Sequence, residues 1–81
     1  MATKGDLVDW VVAALKAAGG SASILYVAQY IWANHEKDLK ENDLFFSWHY
    51  DMRWAATELR KRGIMIAAED DRRGKWSLKQ V

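Results

Sequence analysis

The sequence predicts a small α+β domain, mainly helical, and three observations carry that expectation. Two segments in the first half repeat apolar residues at helical spacing and are separated by Gly19 and Gly20. A third helical segment runs up to Gly63, and beyond it the apolar period shortens to that of strands.

Each element follows from its residues. In the first, Leu7, Val11, Ala14, Leu15 and Ala18 line one side of a helix over 6–18, widened by Val8 and Val12. Gly19 and Gly20 end it, because glycine enters the left-handed region without steric cost. Ser21, Ala22 and Ser23 leave room for a short extended segment, and Ser23 is placed to cap a second helix over 24–38. That helix aligns Ile24, Val27, Ala28, Ile31 and Trp32 on one face. The polar stretch from Lys37 to Asp43 reads as a loop, and Leu44, Phe45 and Phe46 lead out of it. Ser47 then caps a third helix over 47–62, stopped by Gly63. Ile64 to Ala68 form an apolar run suited to a strand, and Lys75 to Lys79 alternate polar and apolar. The charged turn Glu69, Asp70, Asp71, Arg72, Arg73 and Gly74 between them makes a hairpin.

Composition bounds the classes available. The chain has 81 residues, 51% of them apolar, with no cysteine and no proline. That is one domain with a core, expected to span 1–81, and it contains no disulfide framework, thiolate zinc site or cysteine nucleophile. The composition suits a reducing, cytoplasmic setting, and no signal peptide or membrane-spanning run is visible. The net charge of +1 conceals an asymmetry. Residues 1–44 carry four lysines against six acids, a balance of −2, whereas residues 45–81 carry eight cations against five acids, a balance of +3, with all five arginines in that half. An anionic partner is expected to meet the second half.

Helix, short strand, helix, loop, helix and hairpin is the order of a winged helix-turn-helix, in which the third helix enters the major groove and the wing contacts the backbone. At about 100° per residue, Trp48, Met52, Ala55 and Leu59 form the core side of the third helix. His49, Arg53, Ala56, Thr57 and Arg60 form another side, with Lys61 at its edge. Arg53 has the reach for guanine acceptors, His49 and Thr57 for base edges or phosphates, and Arg60 and Lys61 for the backbone; Ala56 permits close approach. Ser47 and Tyr50 at the start of the helix, and Arg72, Arg73 and Lys75 on the wing, complete the expected double-stranded DNA contacts. Glu69, Asp70 and Asp71 are near enough to neutralise part of the wing.

The residues from Tyr50 to Leu78 also carry a family resemblance. Arg53-Trp54-Ala55, Leu59, Arg60-Lys61-Arg62-Gly63-Ile64 and Arg73-Gly74-Lys75-Trp76-Ser77-Leu78 resemble the N-terminal winged-helix domain of Mrr-type restriction endonucleases. The resemblance is close over the C-terminal third and extends to the rest only in layout. It implies a winged helix that recognises DNA or places an attached domain on it. The chain has no room for the nuclease domain that follows in those enzymes, so cleavage does not carry over.

The remaining residues define the competing reading. Trp32, Trp48 and Trp76 fit core positions, Trp10 lies off the main stripe of its helix, and Trp54 either covers the junction of third helix and wing or stacks on a base. Tyr26, Tyr30 and Trp32 offer an aromatic patch on the second helix, suited to a protein partner or a homodimer. No Gly-rich phosphate loop, zinc-protease spacing or nucleophile elbow occurs. Neither an enzyme, nor a cofactor, nor a metal, nor a small-molecule substrate is expected.

Overall fold

The computed structural model describes residues 5–41, 43–71 and 74–79. Helix α1 spans Asp6–Ala17, strand β1 Ser21–Ser23, helix α2 Ile24–Lys40, helix α3 Trp48–Lys61 and strand β2 Lys75–Ser77, with 3₁₀ turns at Asp43–Phe46 and Ala68–Asp70. The result is a mainly helical α+β fold with one small antiparallel sheet.

The glycines that punctuate the sequence act through the same cap. After α1, Gly20 N–H donates to the Leu15 carbonyl at 2.7 Å and Gly19 N–H to Lys16 at 3.1 Å, with Gly19 at φ 87°. After α3, Ile64 N–H reaches the Leu59 carbonyl at 2.9 Å and Gly63 N–H that of Arg60 at 3.1 Å, with Gly63 at φ 74°. In both places a left-handed residue turns the chain back on the helix and satisfies carbonyls that would otherwise lack donors. The first turn delivers the chain into β1 and the second delivers it toward β2.

Helix α2 starts where Ser23 accepts a hydrogen bond from Tyr26 N–H at 3.0 Å. It outlasts the expected end at 38 by two residues and is broken at His35, whose φ of −132° is not helical. There the His35 ring lies flat on Trp10 of α1, centroids 3.9 Å apart and planes 6° apart. Trp10, off the core stripe of its own helix, thus packs across to α2.

The sheet differs most from expectation. In place of a strand over 64–68 there is one antiparallel bridge, Met65 with Leu78, and Ala68–Asp70 turns as a 3₁₀ helix. Strand β2 finds its ladder partner in β1, pairing Ser21 with Ser77, Ala22 with Trp76 and Ser23 with Lys75. Its expected extension to 79 stops at Ser77, with Leu78 only in the bridge. The chain from Ser77 to Lys79 nevertheless bonds on both edges: Leu78 N–H donates to Gly20 at 2.7 Å, while Ser77 accepts from Ile66 at 3.0 Å and Lys79 N–H donates to Ile64 at 2.8 Å. Local alternation reports a strand but not a partner more than fifty residues away in sequence, as Ser21 is from Ser77.

One core joins these elements. Leu7, Val11, Ala14 and Leu15 of α1 are fully buried with Val27, Ile31 and Leu39 of α2 and Ala55, Ala56 and Leu59 of α3, and Met65 and Trp76 close it from the sheet. Trp48 and Trp76 are core, as the spacing predicts, while Trp32 is half-buried and stacks on Trp48 at 6.0 Å. Trp54 is half-buried against the same core. Among the described residues no helix is long and apolar enough to cross a membrane.

Candidate nucleic-acid interface

Helix α3 buries Trp48, Met52, Ala55, Ala56 and Leu59 and turns its opposite side to solvent. Because α1 packs along this buried side, Ala56 is drawn fully into the core. It therefore does not lie on the outer face where the sequence reading put it; small residues permit the close approach of the two helices instead. What remains outside is His49, Tyr50, Arg53 and Thr57, all exposed. Positions three and four apart are neighbours on a helix surface, so Arg53 lies beside both His49 and Tyr50, and Thr57 follows on the next turn.

The other expected contacts are engaged within the fold. Arg60 is half-buried, and its Nε–H donates to the Ile66 carbonyl at 3.2 Å, tying the end of α3 to the segment that precedes the wing. Lys61 sits 3.7 Å from Glu58 on the exposed surface, a pair that water and salt screen readily. Ser47 occupies the N-cap position but makes no side-chain cap; its hydroxyl donates to the Asp51 carboxylate at 2.8 Å. The Thr57 hydroxyl donates to the Arg53 carbonyl at 3.2 Å, a local bond that leaves its oxygen able to accept.

On the wing side, Lys75 is exposed at the start of β2. Arg72 and Arg73 lie outside the described residues. Gly74 takes φ 77°, the turn geometry its position calls for. Of the three wing acids, Glu69 and Asp70 are exposed, whereas Asp71 accepts from the Ser77 hydroxyl at 3.1 Å. Since that hydroxyl's one hydrogen goes to Asp71, the 2.8 Å contact between Ser21 and Ser77 has Ser21 as donor. A hydroxyl chain therefore roots Asp71 in the sheet, so it is not a freely moving counter-ion for the wing.

Leu25, Ala28 and Gln29 of α2, Trp32, Phe45, Trp48 and His49 line an open apolar groove of about 460 Å³. Beside it Phe46 is 89% exposed and Leu25 67%, and Tyr50 on the first turn of α3 is 80% exposed. The expected patch of Tyr26, Tyr30 and Trp32 is divided: Tyr26 and Tyr30 stack at 6.4 Å, while Trp32 faces Trp48 and the groove. The signal for the missed residues was present in two adjacent phenylalanines ahead of a helix with a tyrosine four positions on. Their exposure depends on how the 3₁₀ turn presents them, and periodicity does not report that. Among the described residues no group of three His, Asp or Glu side chains gathers in the way a metal ion needs.

No protein-family model, no curated protein and no solved structure matches the chain.

Proposed function

We propose that the chain is a winged-helix DNA-binding domain, with α3 in the major groove and Lys75 at the start of β2 along the phosphate backbone. The observation that carries this reading is the outer face of α3, where Arg53, flanked by His49, Tyr50 and Thr57, is exposed on a helix whose other side is wholly core. Arg53 has the fork geometry for guanine O6 and N7, and Thr57 and His49 have polar atoms for base edges or phosphates. Two further features support it. The third helix is tied through Arg60 to Ile66 in the segment that bonds to the C-terminal strand, and that strand, bonded on both edges, fits the sheet of a winged helix. The resemblance to the N-terminal domain of Mrr-type endonucleases rests on the residues from Tyr50 to Leu78 and suits a small regulator or a DNA-placing subunit in the cytoplasm.

A second reading has its own observation. The groove between α2 and α3 is apolar and open, and a protein partner or second copy would fill it with an apolar side chain. On that reading the basic residues only keep the surface hydrated.

Anisotropy of a labelled duplex separates the two. DNA binding through phosphates predicts that log K falls linearly with log salt, by about 0.9 per phosphate neutralised. Arg53→Ala weakens binding more than Lys37→Ala on the acidic half of the chain. Absence of duplex binding at low salt overturns the DNA reading in favour of the groove.

A further inference from the structure

Phe46 closes the 3₁₀ turn that leads into α3, and Tyr50 and Arg53 lie on the first two turns of that helix. Phe46 and Tyr50 present large rings to water, and apolar rings exposed near one another mark an interaction site more often than rings scattered singly do. Phe46 is braced by Phe45, with centroids 5.1 Å apart and planes at 81°, and Phe45 is itself seated on the wall of the groove beside Trp48. Tyr50 stands one helical turn before Arg53 and next to His49, whose ring lies 3.8 Å from that of Trp48. Asp51, the acid nearest in sequence, is held by the Ser47 hydroxyl. Flat apolar rings beside a cation suit a ligand that is itself flat, aromatic and anionic.

A nucleobase on its phosphate has that chemistry, but within a paired duplex its two faces are covered by the neighbouring bases. Only an unpaired base offers a face. We propose that Phe46 and Tyr50 form a stacking platform for unpaired nucleobases, with Arg53 holding the adjoining phosphate, so that the protein prefers DNA carrying an unstacked base to fully paired DNA. The inference rests on the DNA-binding reading and deepens it from duplex in general to a structural class of DNA. Base stacking on aromatic side chains is sequence-tolerant, so the preference follows the pairing state and not the identity of the base.

The experiment uses the full chain with three labelled probes: a paired duplex of mixed sequence, the same duplex with a short unpaired bulge, and an oligothymidine strand. Binding is read by anisotropy at low salt. The expected result is tighter binding to the bulge than to the paired duplex, with Phe46→Ala weakening the bulge complex by about tenfold and leaving the duplex complex nearly unchanged, and Tyr50→Ala weakening the bulge complex more than the duplex complex. Phe46→Leu keeps the apolar bulk but not the flat ring, and should lose the preference too. Oligothymidine binding that follows the bulge shows that the unpaired base suffices; oligothymidine binding no tighter than the paired duplex overturns the platform. Both side chains are exposed, so thermal unfolding of the variants should match the parent.

Equal affinity for bulged and paired duplex, with the aromatic variants neutral and Arg53→Ala weakened, overturns the platform and leaves the DNA reading standing. Equal loss on both duplexes, or a preference retained by Phe46→Leu, also overturns it. If no probe binds, the DNA reading itself fails, and a concentration-dependent dimer abolished by Phe46→Ala would then assign these rings to a second copy of the chain.

Discussion

Replacing Arg60 should loosen the wing before it affects any ligand. The Arg60 Nε–H donates to the Ile66 carbonyl at 3.2 Å, and Ile66 N–H in turn donates to Ser77. A hydrogen bond with a charged donor contributes about 1.5 to 3 kcal/mol when well buried. Arg60 is only half-buried, so water replaces part of what is lost and the expected cost of Arg60→Ala is about 1 kcal/mol. In a domain of this size that corresponds to a fall in Tm of about 4 to 8 °C. Arg60→Lys separates structure from charge. Lysine keeps the cation but lacks the planar Nε donor, so its Tm should fall nearly as far while its DNA affinity stays near that of the parent. Circular dichroism melts give Tm, and amide exchange at Ile66 and Lys79 reports the segment directly, both amides exchanging faster in either variant. Unchanged Tm in the alanine variant, or full recovery of Tm by lysine, would refute the assignment of Arg60 as the tie between α3 and the sheet.

Three further outcomes follow from the packing. Leu59→Ala removes a fully buried side chain at the contact of α3 with α1 and should cost about 2 to 5 kcal/mol, much of the stability expected of a domain this small, as read by urea unfolding. Ser23→Ala removes the cap on Tyr26 N–H and should cost about 1 kcal/mol, whereas Ser23→Asp restores most of it in the same assay. At Gly63 nothing lies within 4 Å of where a Cβ would sit, so Gly63→Ala should lose only the strain of its positive φ, about 1 to 2 kcal/mol in the shift of the urea midpoint, and Gly63→Asn less.

Much of the fold could be read from spacing because its signals are local. Apolar residues at helical intervals placed α1, α2 and α3 to within two residues, and Gly19 and Gly63 marked where two of them stop. What spacing missed depends on elements meeting across the chain. Trp10 on His35, Ser21 opposite Ser77 and Arg60 on Ile66 are each settled by tertiary packing, and none leaves a periodic trace. The candidate site divides the same way. Angle alone assigns His49, Arg53 and Thr57 to the outer face of the third helix, and they are exposed there, as is Tyr50 on the first turn. Ala56 was misplaced because it sits at the border of the core arc, where the nearness of α1 decides. Phe45 and Phe46 were read as the way out of a loop, since a run of apolar residues does not say which of them the turn will leave uncovered.

The sheet pairs Ser21 with Ser77, so its first strand must wait for its last. Helical contacts of short sequence separation can form early, but β1 has no ladder partner until residues 75–77 have been made, and the Met65 segment bridges to the residue directly after that same late strand. Closing so long a loop costs entropy that only the completed sheet returns. Emergence of Trp76 from the ribosome is therefore the step at which three helices with an open end become a closed domain, and until then the buried side of α3 stays partly available to other chains.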